Sequence, residues 1–132
     1  MIESWFRKPK PGVTSTTIIF VHGVLSNSDD CWRHPDGGYW PQLIGEHPSL
    51  NDAGIYLFGY KTSKFSGSFN LDNVIDTLKE QLILDGVLNS GRLIFVCHSM
   101  GGIIARKYIL LRKNDFIESG KEIGLFLSPP LL

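Results

Sequence analysis

The stretch LIFVCHSMGGII, residues 93–104, contains two different hydrophobic patterns in succession. Its first part, Leu93–Cys97, is a continuous apolar run, which is typical of a strand covered on both faces of a parallel sheet. From Met100 to Leu111 apolar residues recur at helical spacing. The stretch therefore predicts a strand that runs directly into a helix, with Ser99 at the corner.

The rest of the chain alternates in the same way. A helix is predicted over residues 71–84, with Asn70 as its N-cap, and a short helix near Trp40–Ile44. Three more apolar runs predict strands: Thr17–Val21, Ile55–Tyr60 and Ile123–Leu127. Strands that alternate with helices predict an α/β fold with right-handed crossovers and a doubly wound, mostly parallel sheet. The helix after Ser99 is expected to carry Arg112 and Lys113 in its last turn, where cations suit the helix dipole.

Composition limits the classes of protein to consider. The chain has 132 residues, of which 42% are hydrophobic, and its 13 basic and 13 acidic residues give a net charge of zero. Zero net charge argues against a general nucleic-acid binder. We interpret residues 1–15 as a lead-in and residues 16–132 as a single domain, with Cys31 and Cys97 as reduced thiols.

No stretch reaches the roughly 20 apolar residues that a membrane span needs, and the N-terminus lacks the apolar segment of a signal peptide. The expected location is intracellular, either cytoplasmic or peripherally associated with a membrane.

Candidate site residues follow the predicted strands. In a parallel sheet, sites form at the carboxyl ends of the strands, and His22, Ser99 and Ser128 fall there. Cys97-His98-Ser99-Met100-Gly101 fits the nucleophile elbow G-x-S-x-G, with cysteine in place of the first glycine. Ser99 is then a candidate nucleophile; the alternative is a serine that only caps the helix.

The neighbours of Ser99 have roles in the same interpretation. Gly101 and Gly102 would let the helix pass close to the strand. The backbone N–H groups of Met100 and Val24 are candidate oxyanion donors. Three further residues would shape the site without taking part in the chemistry: His22, Gly23 and His98.

Three segments together resemble the α/β-hydrolase superfamily: FVHG (residues 20–23), CWRHPDGGYWPQLIGEHPSLNDAGIYLFGY (31–60) and CHSMGGIIARKYIL (97–110). More narrowly, they look like the serine-active-site, lipase-like domain related to phosphatidylinositol deacylases. Trp32, Trp40-Pro41 and Gly59-Tyr60 match that family's pattern, and the similarity covers about residues 16 to 128. The resemblance implies hydrolysis of a carboxylic ester, often a lipid acyl ester, without a cofactor. Cys97 departs from the family's usual first glycine or other small residue.

The catalytic base is missing from its expected place. A serine nucleophile needs a histidine base and a carboxylate that orients it, and in this fold both follow the serine in the chain. None of the four histidines does so: His22, His34, His47 and His98. His98 adjoins Ser99, but successive side chains leaving a strand point to opposite faces. The acids between Ser99 and the last strand are predicted at the opposite, amino edge of the sheet: Asp115, Glu118 and Glu122.

Three interpretations therefore remain open. The chain is a hydrolase that lacks its acid and base and is incomplete at its C-terminal side. Alternatively, it is complete, with His34 or His47 entering the site together with Asp29, Asp30 or Asp36. The third interpretation is a non-catalytic binding or interaction module with the same fold.

Expected partners are an ester or lipid substrate, a peripheral membrane contact and a second copy bound at the uncovered edge of the last strand; nucleic acid is not expected. Cys31-x-x-His34 with His47 lacks the second ligand pair of a zinc site, so no metal is expected. Trp32, Tyr39 and Trp40 either line an acyl pocket or pack the long loop onto the sheet. The basic segment RKYILLRK, residues 106–113, is interpreted as a solvated helix face.

Overall fold

A mixed five-stranded sheet forms the centre of the protein in the computed structural model, which describes residues 4–11, 15–22, 38–59, 70–98 and 100–127. Within these ranges the strands are β1 (Trp5–Arg7), β2 (Thr16–Val21), β3 (Gly54–Phe58), β4 (Arg92–Cys97) and β5 (Glu122–Leu127). The helices are α1 (Trp40–Glu46), α2 (Leu71–Leu84), α3 (Met100–Leu111) and α4 (Lys113–Glu118), with 3-10 turns at Pro48–Leu50 and Val87–Asn89. The predicted α/β class is confirmed.

The order of the strands is β1-β3-β2-β4-β5. Strands β2 to β5 are mutually parallel, and only β1 runs antiparallel, beside β3. The chain moves from β2 outward to β3, then returns across β2 to form β4 on its other side. The order of the strands therefore reverses between β2 and β4, which makes the carboxyl ends of these two strands a topological switch point.

Helices cover both faces of the sheet. Ile19 and Val21 point to the face on which α2 and α3 pack, whereas Ile18 and Phe20 point to the face that carries α1. This alternation follows from the two-residue period of a strand. The crossover from β2 to β3, which contains α1, runs along the sheet in the opposite direction from the crossovers to β4 and β5, which contain α2 and α3. Right-handed crossovers in opposite directions place their helices on opposite faces. Within the described structure, α1 therefore lies alone on its face of the sheet.

Helix α2 has the predicted bounds for clear local reasons. The Asn70 side chain accepts hydrogen bonds from the backbone N–H groups of Asp72 and Asn73, which satisfies two of the N–H groups that a helix start leaves unpaired. The helix ends before Gly86, whose φ of 73° suits a residue without a side chain.

Two elements were not predicted. Residues 1–15, interpreted as a lead-in, contain β1, which is only three residues long and shows no periodic pattern. Helix α3 ends at Leu111, and the chain then starts the separate helix α4. The prediction that Arg112 and Lys113 occupy the last turn of α3 is wrong, because the chain turns at Arg112 to bring Phe116 into the core against Tyr108.

None of the helices in the described part of the chain combines the length and the apolar character needed to cross a bilayer.

Candidate functional site

Two histidines lie side by side at the switch point. His22 and His98 directly follow Val21 and Cys97, which are register partners on β2 and β4. The backbone N–H of His98 donates to the carbonyl oxygen of Val21 at 3.1 Å, so the ladder continues past the end of β4. His22 is fully buried and His98 is partly buried. The structure therefore brings together two histidines that lie 76 positions apart along the chain.

Helix α3 begins against the carboxyl end of β2. A Cβ atom on Gly101 would lie 2.2 Å from the carbonyl oxygen of Val21, and one on Gly102 would lie 2.6 Å from Leu127 Cδ2. The N–H of Gly101 donates to the His98 carbonyl at 2.9 Å, which makes the turn between strand and helix tight. The two glycines allow the close approach predicted from the sequence. The first turn of α3, with Met100, therefore lies at the switch point, where its N–H groups lack intrahelical acceptors.

Several predicted site residues lie outside the described residues: Gly23, Val24, Ser99 and Ser128. The same holds for Trp32, His34 and the loop acids Asp29, Asp30 and Asp36. Of the eight residues assigned to the site, the structure places five around the switch point: His22, His98, Met100, Gly101 and Gly102.

His47 lies far from this edge. It follows α1, and its Nδ1 accepts a hydrogen bond from the N–H of Ser49 at 3.2 Å. Ser49 lines a cavity with Thr16 and Arg92, the first residues of β2 and β4. A strand of six residues is about 20 Å long, so His47 is separated from the switch point by nearly the height of the sheet. His47 therefore lies at the opposite edge of the sheet from His98 and Met100, which flank Ser99 in the sequence.

The acids after Ser99 also lie at the amino edge, as predicted. Asp115 and Glu118 are on α4, and Glu122 opens β5, where its carboxylate pairs with Arg92 Nε at 2.8 Å. Asp115 pairs with Arg112 at 3.3 Å. Glu122 and Asp115 are therefore paired with arginines away from the candidate site.

Cys97 fills the space beneath the turn. Its side chain is fully buried, and its Cβ lies 3.9 Å from where a Cβ on Gly102 would be. Burial raises the pKa of its thiol to about 12, so the reactive thiolate is scarce at neutral pH. Cys97 therefore packs as a small hydrophobic residue and is not a competing nucleophile.

An apolar groove runs along the α1 face of the sheet and reaches the same edge. It encloses about 450 Å³, within the range of small-molecule sites. Its lining residues come from α1, from β2, β4 and β5, and from the 3-10 turn: Ile18, Trp40, Ile44, Leu50, Ile94, Val96, Phe126 and Leu127. Of the aromatic residues with two predicted roles, Trp40 lines this groove, whereas Tyr39 packs against the small core cluster on the same face.

Among the described residues, no group of three or more histidine, cysteine, aspartate or glutamate side chains is placed to hold a metal ion. Comparison of the chain with protein-family models, curated proteins and solved structures gave no match. A functional assignment therefore depends on the residues and the geometry described above.

Proposed function

We propose that this chain provides the serine nucleophile and the oxyanion hole of a serine hydrolase of the α/β-hydrolase type, which acts on carboxylic esters, including lipid acyl esters. One observation carries the proposal: Gly101 meets the Val21 carbonyl so closely that any side chain there would collide with the backbone. A nucleophile elbow needs this contact, because the helix that follows the serine must pass directly over the neighbouring strand. A serine that only caps a helix does not require it.

The strand order supports the same function. Ligands of open α/β sheets bind at the carboxyl edge where the strand order reverses, and Ser99 follows β4 at this point in the sequence. The apolar groove ends within two residues of His98, at Val96 on β4. An ester with an aliphatic acyl chain has the chemistry to occupy such a groove while its carbonyl reaches the edge.

In the proposed reaction, Ser99 Oγ attacks the ester carbonyl carbon, and the N–H groups of Met100 and Val24 donate to the oxyanion that forms. Collapse of this intermediate breaks the bond to the alcohol, and water then hydrolyses the acyl-serine. A base must accept the Ser99 proton, and His22 and His98 are assigned to shaping the site. Without a base the rate falls by about four orders of magnitude or more, so we expect little turnover by this chain alone.

A fluorophosphonate probe tests the nucleophile directly. We expect slow phosphonylation within the tryptic peptide Leu93–Arg106, identified by mass spectrometry. Ser99→Ala should abolish this label, whereas His98→Ala and Ser119→Ala, which changes the exposed serine that follows α4, should retain it. A folded sample that remains unlabelled in this peptide would contradict an activated serine.

Hydrolysis of a short p-nitrophenyl ester distinguishes the interpretations that remain. Rapid turnover by this chain would show a complete catalytic set, and loss of turnover in His34→Ala would then identify the base.

The second candidate function is a non-catalytic binding module, which is favoured by the placement of His47 and Asp115 at the opposite edge of the sheet. That module predicts neither labelling nor turnover. It also predicts that binding of its partner is unchanged by Ser99→Ala.

A further inference from the structure

The outward face of α3 combines exposed aliphatic and cationic side chains. Ile103, Leu110 and Leu111 are 49%, 63% and 72% exposed, and Arg106 and Lys107 between them are also exposed. Residues three and four positions apart share a helix face, so Ile103, Arg106, Lys107 and Leu110 form one stripe opposite the buried face of the helix. We call these four residues together with Leu111 the α3 outer face.

The cations of the α3 outer face have no ion-pair partner in the part of the chain that the structure describes. Helix α3 contains no aspartate or glutamate, and neither Arg106 nor Lys107 forms an ion pair with any residue that the structure describes. Arg112, just after the helix, differs because it is bound to Asp115. Two positive charges that are unpaired among the described residues therefore lie between exposed aliphatic side chains.

The neighbouring helix shows that this pattern is not general. Helix α2 packs on the same face of the sheet, but its exposed charged residues are Asp72, Asp76, Lys79 and Glu80. With three acids and one lysine it carries a net charge of −2, whereas Arg106 and Lys107 give α3 a net charge of +2. An anionic surface would therefore attract α3 and repel α2.

We propose that the α3 outer face docks this protein on an anionic lipid bilayer, with the helix lying parallel to the surface. Interleaved cationic and aliphatic residues suit a bilayer interface, because the cations meet anionic headgroups while leucine and isoleucine enter the acyl boundary. A nucleic acid would need a broader basic field than the two cations of α3. The inference does not depend on the proposed function, and it replaces the interpretation of residues 106–113 as a merely solvated face.

Sedimentation of the full chain with vesicles tests the docking surface. We expect binding to phosphatidylcholine vesicles that contain roughly one-third phosphatidylserine, weaker binding to pure phosphatidylcholine, and loss of binding as salt rises from about 0.1 to 0.5 M. Lys107→Glu should lower the partition coefficient by about tenfold or more. Lys79→Glu makes the same charge change on α2 and should not lower it.

A second pair of variants tests the aliphatic part. Leu110→Ser combined with Leu111→Ser should abolish binding, whereas Ile83→Ser combined with Leu84→Ser, which changes exposed residues at the end of α2, should preserve it. Circular dichroism confirms that each variant is folded.

Three results would overturn the proposal: no binding of the folded wild-type chain to the anionic vesicles, equal binding to both vesicle types, or equal losses in Lys107→Glu and Lys79→Glu. Binding of a single-stranded RNA that is lost in Lys107→Glu, without vesicle binding, would assign the face to nucleic acid instead.

Discussion

Gly101 lies so close to Val21 that the two residues leave no room for a Cβ atom: it would stand 2.2 Å from the Val21 carbonyl oxygen and 2.8 Å from that of His22. Both obstacles are backbone atoms in or next to a buried central strand, which cannot move without disturbing the pairs on either side. Gly102 presents a different case, because its nearest obstacle is the tip of the exposed Leu127 side chain.

These two glycines give a matched pair of variants. Gly101→Ala should lower the free energy of unfolding by about 1–3 kcal/mol, the usual cost of overpacking a rigid site. Gly102→Ala should be neutral or should stabilise by up to about 1 kcal/mol, because Leu127 can rotate away and alanine favours a helix. Urea denaturation measures both. Equal effects would contradict the close approach of α3 to β2.

The extent to which the sequence predicts the fold depends on where the stabilising contacts are. Strands β2 to β5 are visible as continuous apolar runs, and helices α2 and α3 are visible because their apolar residues recur at helical spacing. Strand β1 and helix α4 are short, and distant partners hold them in place: Trp5 packs edge-on against Tyr56, and Phe116 packs against Tyr108. For the site, the sequence predicts the close approach of Gly101 and Gly102 at the start of α3, but it does not show that His47 lies at the opposite edge of the sheet.

Arg7 is the clearest residue that pattern reasoning misses. Its guanidinium donates to the backbone carbonyls of Gly45, Leu50 and Ala53, at distances between 2.6 and 3.0 Å. It thus ties β1 to the end of α1 and to the turn before β3. Nothing in the local sequence distinguishes this arginine from the basic residues around it.

Arg7→Met should therefore lower the free energy of unfolding by about 2–4 kcal/mol, because partly buried carbonyls lose charge-assisted hydrogen bonds. Arg7→Lys should fall between this variant and the wild type, since an ammonium cannot reproduce the planar fork. Lys8→Met changes the adjacent exposed lysine and should have little effect. Urea denaturation of the three variants provides the measurement, and similar losses at positions 7 and 8 would contradict the role of the fork.

Stability should also depend on alkaline pH through Cys97. Burial raises the pKa of its thiol from 9.0 to about 12, so the folded protein holds this proton more tightly than the unfolded chain. The stabilisation is complete below about pH 9 and is lost as the pH rises toward 12, with a slope of at most about 1.4 kcal/mol per pH unit. Tyr108, whose pKa burial raises to about 12, adds a similar loss above pH 10.

Cys97→Ala separates the two contributions. The variant should show a flatter decline in the free energy of unfolding between about pH 9 and 12, because the thiol is ionised in the unfolded chain and protonated in the fold over this range. Urea titrations at successive pH values give the slopes. Identical slopes between pH 9 and 10 would show that the thiol is not protected by the fold.

The outer edge of β5 should cause self-association. In the described chain β5 pairs only with β4, so its other edge presents unpaired backbone groups, and Phe126 and Leu127 beside it are 62% and 60% exposed. An unprotected apolar edge is a template for another strand, and burying such aromatic and aliphatic surface contributes roughly 1.5–3 kcal/mol per side chain.

We expect sedimentation velocity to show a mean mass of the protein that rises with increasing protein concentration. Phe126→Lys should suppress this rise, because a lysine at an edge opposes pairing. Leu84→Lys, at a more exposed residue on α2, should leave it unchanged. Monomers of the wild-type chain at all concentrations, or equal suppression by both lysines, would show that this edge does not drive association.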